Sequence, residues 1–275
     1  MSALEIVEAM NSEDKNVAET VKLALPEIAD AVNLIADRLF QGGRLLYVGA
    51  GTSGRLGVMD ASECPPTFGV SPELIQGLIA GGVSALTDEI EGAEDDSIAG
   101  ESVLKNTGVN RKDVVLGLSA SGTTPFVLAA MEYTKQQGSA RIGLACEMDS
   151  VLLKNVDVAI CVPVGPEILY GSTRLKAGTA QKMILNMLST AVMVKLGKVY
   201  KNHMVDLRVS NIKLERRAEV MVAELGEVSQ ETATKLLKET GNNVKTAIVM
   251  AKRKINILEA EKNLKAVDGI LSKII

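Results

Sequence analysis

The sequence predicts an α/β fold, a three-layer αβα sandwich around a five-stranded parallel sheet, with a small helical module at the C-terminus. Five short apolar runs rich in β-branched residues alternate with stretches of helical periodicity, as in sheets that are covered on both faces. These runs are residues 45–48, 74–79, 114–118, 141–146 and 158–162. No such run follows Glu215, where the chain becomes charged and helical in pattern. We therefore expect a sheet domain over residues 1–215 and a helical module over residues 216–275.

The helices of the sheet domain show apolar residues at helical spacing. Before the first strand such residues recur from Val17 to Leu39, and Pro26 should kink this helix or split it into two pieces. The same spacing predicts helices over residues 125–137 and 179–196. Because doubly wound sheets bind ligands at the carboxyl ends of their strands, the residues that follow the strands are the candidates for function.

The C-terminal module is predicted to contain three helices. The first starts at residues 228–230 and ends at the Gly-Asn-Asn break of residues 241–243, the second resumes at Val244, and the third runs over about residues 258–275. We expect this module to cover part of the site or a subunit interface.

Composition limits the partners of the chain. With 275 residues, a formal net charge of -4 and a pI of about 5.3, it is a poor partner for nucleic acid or anionic membranes. Aromatic residues make up only 3% and Trp is absent, which argues against stacking of bases or long glycans and favours a small substrate. No apolar run is long enough to span a membrane, and residues 1–11 lack the basic start and apolar core of a signal peptide.

The cysteines predict a reduced, cytoplasmic protein. Cys64, Cys146 and Cys161 form an odd set without framework spacing. Cys64 has no histidine near it in sequence to activate it, so we interpret it as a small packing residue. One histidine, His203, and scattered cysteines make no metal site, and no metal is expected.

The first strand leads into a glycine-rich turn that indicates an anion site. Residues 49–54 read Gly-Ala-Gly-Thr-Ser-Gly, in which Thr52 and Ser53 add two hydroxyls. Glycines let the backbone come close to an anion, and a helix start directs N–H groups and the positive end of its dipole toward it. We interpret this turn as a phosphate-binding loop.

Two other glycine motifs share these letters. The pattern G-x-G-x-x-G is also the dinucleotide fingerprint, but that site needs an acid at the end of the second strand, where residues 80–82 read Ala-Gly-Gly. A P-loop needs Gly-Lys-Ser/Thr, and residues 54–56 read Gly-Arg-Leu. A turn that merely joins strand to helix would not need the hydroxyl pair. A phosphorylated small substrate is therefore favoured over these alternatives.

A second loop rich in hydroxyls follows the third strand. Residues 119–125 read Ser-Ala-Ser-Gly-Thr-Thr-Pro, and Pro125 suits the first turn of a helix. Hydroxyls and free backbone N–H groups make a neutral phosphate cradle, whereas an ordinary helix cap needs only one hydroxyl. We expect the cradle to consist of Ser119, Ser121, Gly122, Thr123 and Thr124.

Two glutamates are the candidates for acid–base chemistry. Glu63 precedes the prolines at residues 65–66, which we expect to form a rigid corner. Glu94 stands in the acidic cluster 89–96, and the small residues before it would allow close approach to a ligand. The other acids of this cluster, among them Glu89, Asp95 and Asp96, are expected on a solvated face. Two carboxylates can serve as general acid and base on one substrate if their environments separate their pKa values.

The segment after the fifth strand carries a further acid together with hydroxyls, glycines and cations. An exposed helix surface would also explain the lysines at 176 and 182, but the glycines and the position after a strand favour a ligand-lining role for residues 165–182. The candidates in this segment are Glu167, Ser172 and Lys176.

Residues 49–66, 80–95, 119–125 and 171–182 together resemble the N-acetylmuramic acid 6-phosphate etherase family, and the similarity extends over nearly the whole chain. That family has a sugar isomerase (SIS) domain and is related to glucokinase regulatory protein. The C-terminal module resembles a ubiquitin-associated-type helical bundle. The resemblance implies an SIS-fold catalytic domain that binds a small phosphorylated amino sugar, a homodimer, and no metal or organic cofactor.

The resemblance also implies a reaction. Family members cleave the D-lactyl ether at C3 of N-acetylmuramic acid 6-phosphate, giving N-acetylglucosamine 6-phosphate and D-lactate, a step of peptidoglycan recycling. Glu94 would take the C2 proton, and Glu63 would protonate the leaving ether oxygen and later activate water. Two alternatives stay open. A non-catalytic sugar-phosphate sensor could lose either glutamate, and an SIS-type aldose–ketose isomerase would differ only in its product.

Overall fold

The computed structural model describes residues 1–207, 209 and 211–275. The strands are β1 Leu45–Gly49, β2 Ile75–Ile79, β3 Val114–Leu118, β4 Ala140–Ala145 and β5 Val158–Cys161. The helices within the described residues are α1 Ala3–Leu23, α2 Leu25–Phe40, α3 Gly51–Phe68, α4 Ser97–Thr107, α5 Pro125–Gln136, α6 Val151–Lys154, α7 Lys176–Lys195, α8 Ile212–Gly226, α9 Gln230–Glu239, α10 Val244–Arg253 and α11 Ile257–Ala266. All five strands were predicted to within one residue at each end.

The five strands form one parallel sheet in the order β2-β1-β3-β4-β5, which confirms the predicted fold class. The chain leaves β1 through α3 to reach β2 on one side, and later returns to β3 on the other side of β1. Gly49 at the end of β1 is level with Ile79 of β2 and Leu118 of β3. The reversal of strand order beside β1 opens a crevice at the carboxyl edge of the sheet, where α/β proteins bind their ligands.

Helices cover both faces of the sheet. On one face, Leu46 of β1 and Val115 of β3 are fully buried in a cluster that includes Phe126 of α5. On the other face, Tyr47 of β1 meets α3 so closely that a Cβ added to Gly57 would lie 3.1 Å from the Cβ of Tyr47. Successive strand residues therefore contact opposite helical layers, as the period of two in a strand requires.

The N-terminal helix is divided as predicted. α1 ends at Leu23 and α2 begins at Leu25, with Pro26 in its first turn. At that position the missing N–H of proline removes no intrahelical hydrogen bond. Val21 and Ile28 are buried on either side of the break.

The chain divides into two compact units. The first comprises residues 1–62 and 72–190, and the second comprises residues 63–71 and 191–275. The first unit holds the whole parallel sheet. The sequence domains expected over 1–215 and 216–275 stay a prediction.

The second unit has a core of its own. Val222 of α8, Leu237 of α9 and Ile248 of α10 are buried in one apolar cluster. No strand lies among the described residues after 215, in agreement with the sequence. None of the described helices is both long enough and apolar enough to cross a membrane.

The last predicted helix was drawn too long. α11 ends at Ala266 rather than at residue 275. Asp268 and Gly269 have φ values of 55° and 73°, which a right-handed helix does not accept, and Gly269 donates its N–H to the carbonyl of Leu264. The glycine that closes this helix was visible in the sequence.

Candidate active site

A cavity of about 660 Å³ lies at the carboxyl edge of the sheet in the first unit. Its lining residues follow β1, β2 and β3, and fall within residues 50–55, 80–94 and 118–124, with Thr173 added. The cavity therefore occupies the crevice that the strand order creates. The three loops that the sequence singled out after these strands line one space.

The glycine-rich turn forms the start of α3. Gly51, with φ 51°, begins the helix, and Thr52 and Ser53 of the first turn line the cavity. A Cβ on Gly49 would lie 2.7 Å from the backbone N of Gly54, so only glycine permits this tight return. The unpaired N–H groups of a helix start and its dipole then lie beside the cavity, as the phosphate-binding interpretation requires.

The hydroxyls after β3 form a connected network. Ser119 is 3% exposed, its Oγ lies 2.7 Å from Oγ1 of Thr124, and it accepts the N–H of Gly122 at 2.9 Å. The Oγ of Ser121 lies 3.0 Å from Oγ1 of Thr123. Ser119, Ser121 and Thr124 line the cavity, whereas Thr123 and Gly122 do not.

Gly122 shapes this loop. Its φ is 66°, and an added Cβ would lie 2.3 Å from the Cβ of Ser150, so a larger residue has neither the backbone freedom nor the space. Its N–H is engaged by Ser119. The structure thus gives Gly122 a place in the turn, and its predicted contact with phosphate stays a prediction.

Glu94 lines the cavity from the wall that follows β2. It is exposed and stands in the short 3₁₀ turn Ala93–Asp95, which begins after Gly92 with φ 71°. Glu89, expected on a solvated face, also lines the cavity and is exposed. Asp96 serves a structural purpose, because its Oδ1 accepts the N–H of Ala99 and caps α4.

Glu63 does not stand at a rigid corner. Pro65 and Pro66 lie inside α3, which continues to Phe68, so the predicted corner is wrong. Both prolines fall in the last turn of α3, where their missing N–H groups leave only the carbonyls of Ala61 and Ser62 without helical donors. Glu63 is exposed, belongs to the second unit and is not a lining residue of the cavity in the first. Its catalytic role stays a prediction.

The segment after β5 contributes a different residue from those expected. Glu167 caps α7, because its carboxylate accepts the N–H groups of Lys176 at 3.0 Å and Ala177 at 2.9 Å. Lys176 is 4% exposed and its Nζ donates to Oε2 of Glu13 at 2.6 Å.

Thr173 lines the cavity in place of its neighbour Ser172. The sequence signal, a hydroxyl pair in a glycine-bounded loop, did not distinguish between the two. The ligand roles of Glu167, Ser172 and Lys176 stay predictions.

Sequence reasoning missed Arg55, which it treated only as the residue that spoils a P-loop. Arg55 lines the cavity, and its guanidinium donates to the carbonyl of Leu86 at 3.2 Å and to that of Asp88 at 3.0 Å. These bonds tie α3 to the wall that follows β2. The sequence did contain one indication of its role, because Arg55 is a basic residue one turn into the helix that follows a predicted phosphate-binding loop.

None of the three cysteines lines the cavity. Cys64 is buried, and burial raises the pKa of the Cys146 thiol to about 12, with Cys161 adding to the shift. A thiol with so high a pKa is not a nucleophile at neutral pH. Among the residues that the structure describes, no three His, Cys, Asp or Glu side chains are grouped so that they could hold a metal ion.

Family models and solved structures agree on the class of fold. The models describe the glucokinase regulatory protein N-terminal SIS domain over residues 27–135, the SIS domain over 94–191, and the C-terminal lid domain of glucokinase regulatory protein over 201–240. A phosphoheptose isomerase from Francisella tularensis matches with TM-score 0.56 and 20% identity, covering 70% of this chain and 100% of that chain. A phosphoheptose isomerase from Neisseria gonorrhoeae matches with TM-score 0.53 and 17% identity, over 70% of this chain and 99% of that chain. The parallel sheet and its crevice are thus those of an SIS-class α/β protein.

Closer relatives define the family. The N-acetylmuramic acid 6-phosphate etherase of Clostridium beijerinckii is 50% identical over 99% of this chain and 90% of its own length. The protein of the same name from Serratia proteamaculans is 52% identical over 98% of this chain and 91% of its own length. The chain belongs to the N-acetylmuramic acid 6-phosphate etherase family, as its motifs indicated.

Proposed function

We propose that this chain is a carbon–oxygen lyase that cleaves the D-lactyl ether of N-acetylmuramic acid 6-phosphate, giving N-acetylglucosamine 6-phosphate and D-lactate. One observation carries the proposal. A single cavity is lined by the hydroxyls of Ser119, Ser121 and Thr124 on one side and by the carboxylate of Glu94 on the other. The hydroxyls can hold the phosphate of a sugar, and the carboxylate in the same cavity can remove a proton from that sugar.

The phosphate binds at the hydroxyl loop and at the start of α3. Hydroxyls and backbone N–H groups donate to the phosphate oxygens, and the dipole of α3 favours the negative charge. Such anchoring holds a flexible open-chain sugar in place, so its contribution to the rate is orientation rather than bond breaking.

The two glutamates carry the proton transfers. In the open-chain sugar the C2 proton is acidic because it lies next to the aldehyde, and Glu94 removes it. Glu63 protonates the ether oxygen as D-lactate leaves C3. Glu63 then takes a proton from the water that adds at C3 of the unsaturated aldehyde, and Glu94 returns its proton to C2, so each glutamate ends the cycle in its starting state.

The remaining expectations concern the setting of the enzyme. We propose that the chain acts as a homodimer in the cytoplasm, on amino sugars released in peptidoglycan recycling. An acidic pI, three cysteines without framework spacing, and the names of the relatives support this setting.

Release of D-lactate tests the proposal directly. The purified protein incubated with N-acetylmuramic acid 6-phosphate should produce D-lactate and N-acetylglucosamine 6-phosphate in equal amounts. Coupled oxidation of D-lactate measures the first product, and mass spectrometry measures the second. A ketose product without D-lactate would establish the isomerase alternative, and binding without turnover would establish the sensor.

Replacement of one cradle hydroxyl should weaken substrate binding. Ser121→Ala removes a hydrogen bond to a charged phosphate, a loss of roughly 1.5–3 kcal/mol, which corresponds to a rise in KM of about tenfold or more. Steady-state kinetics of D-lactate release measure it.

The comparison variant is Ser172→Ala, since Ser172 is a ligand candidate from the sequence that does not line the cavity. An unchanged KM in Ser121→Ala with a raised KM in Ser172→Ala would move the phosphate site to the loop after β5.

A further inference from the structure

Arg55 is the basic side chain of an otherwise acidic cavity. Within the part of the chain that the structure describes, it is the only Lys or Arg that lines this space. Four carboxylates line the same space, those of Asp88, Glu89, Glu91 and Glu94. For a ligand with a second negative group besides its phosphate, Arg55 is the lining side chain whose charge offsets repulsion from these acids.

The guanidinium of Arg55 is held by one edge only. Its Nε donates to the carbonyl of Leu86 and its Nη2 to the carbonyl of Asp88. Nε and Nη2 form the side edge of the planar group, so these carbonyls fix its plane. No described residue accepts a hydrogen bond from Nη1. The end edge, Nη1 with the second hydrogen of Nη2, is left as a two-pronged donor whose geometry matches a carboxylate.

We propose that Arg55 binds the carboxylate of the lactyl group and thereby selects a substrate that carries this group over a sugar phosphate that lacks it. This inference rests on the proposed function, whose substrate has two anions, a phosphate at C6 and a carboxylate on the ether substituent at C3.

The arrangement of the cavity assigns one anion to each side. The hydroxyl cradle follows β3, whereas Arg55 is bonded to the wall that follows β2. Glu94 stands on this same wall. Since C2 and C3 are adjacent in the sugar, a carboxylate held at Arg55 brings the ether carbon and the C2 proton to the side of the cavity where Glu94 lies.

The test compares ligands with and without the carboxylate in wild type, Arg55→Met and Arg55→Lys. Binding is measured by calorimetry for three ligands: a substrate analogue reduced at C1 to the alditol, which lacks the aldehyde and is not cleaved, its carboxamide, and N-acetylglucosamine 6-phosphate. Wild type should bind the carboxylate at least about tenfold more tightly than the carboxamide, the least expected for a hydrogen bond to a charged group. Arg55→Met should lose this preference while keeping its affinity for N-acetylglucosamine 6-phosphate within about twofold. Arg55→Lys should retain part of the preference, because lysine keeps the positive charge but lacks the two-pronged donor edge of the guanidinium.

Arg111→Met is the matched control, because Arg111 is exposed and does not line the cavity. Equal weakening of all three ligands by Arg55→Met would overturn the proposal and leave Arg55 as an anchor of the wall or a contact to the phosphate that all three ligands carry. Loss of the preference in Arg111→Met would overturn it as well, since general charge would then be responsible. Wild type could prefer the carboxylate ligand, and Arg55→Met could lose that preference, while wild type releases no D-lactate. That result would refute the proposed function and leave the inference about Arg55 standing. If wild type shows no preference for the carboxylate, the inference fails whatever the turnover.

Discussion

Glu94→Gln should abolish release of D-lactate and also stop exchange of the C2 proton with solvent deuterium. Removal of this proton is the first chemical step, so its base is required for everything that follows. The change keeps the size of the side chain and removes only its basicity, and the loss should exceed the roughly 10²-fold expected at minimum for a positioned base. Proton NMR in deuterated buffer measures the exchange, and D-lactate is assayed on the same sample.

Asp95→Asn provides the control for Glu94. Asp95 is the next residue, is exposed and does not line the cavity, so both reactions should continue at the wild-type rate. If Glu94→Gln still exchanges its C2 proton, another group is the base and Glu94 serves only to bind substrate.

Glu63→Gln should separate the two steps. If Glu63 is the acid on the ether oxygen, the variant should still exchange the C2 proton while releasing D-lactate at least about 10²-fold more slowly than wild type. The separation arises because proton abstraction at C2 precedes the loss of D-lactate at C3. The same two measurements apply, and Glu101→Gln, an exposed acid on α4 outside the cavity lining, should behave as wild type.

The pair of variants also decides between classes of function. Swapped behaviour would exchange the roles of the two glutamates and keep both in the mechanism. Full activity in one variant would remove that residue from the mechanism. A protein that binds the sugar phosphate with unchanged affinity in both variants and releases no D-lactate would be the sensor, since a sensor needs the binding loops and not the acids.

The strands and the loops after them were predictable because their signals are local. Apolar runs of four to six residues and a period of two indicate strands, and the parallel order then brings the loops after β1 and β3 to one edge. The prolines at 65 and 66 were wrongly predicted to form a corner, because near the end of a helix a proline does not reliably indicate where the helix stops. Its effect depends on which carbonyls lose donors. Pro65 and Pro66 stand in the last turn of α3, so only the carbonyls of Ala61 and Ser62 lose them.

The rest of the site depends on contacts between distant parts of the chain. Arg55 became visible as a site residue only once α3 lay beside the carbonyls of Leu86 and Asp88, more than thirty residues away. Thr173 and Ser172 have the same chemistry in sequence, and only the path of the loop decides which one faces the cavity. Site residues that are brought together only by the tertiary structure do not recur at a regular spacing in the sequence, so a sequence pattern does not identify them.

The neutral hydroxyl network after β3 has a consequence for the phosphate that we propose it binds. In the contact between Ser119 and Thr124, and in that between Ser121 and Thr123, either oxygen can be the donor. The direction of each bond can therefore reverse by rotation of a hydroxyl, without movement of any heavy atom. A phosphate ester loses its second proton near pH 6, so both its monoanion and its dianion occur in a cell. A lysine can only donate, but these hydroxyls can turn to accept the proton of a monoanion or donate to a dianion, so one rigid loop suits both forms.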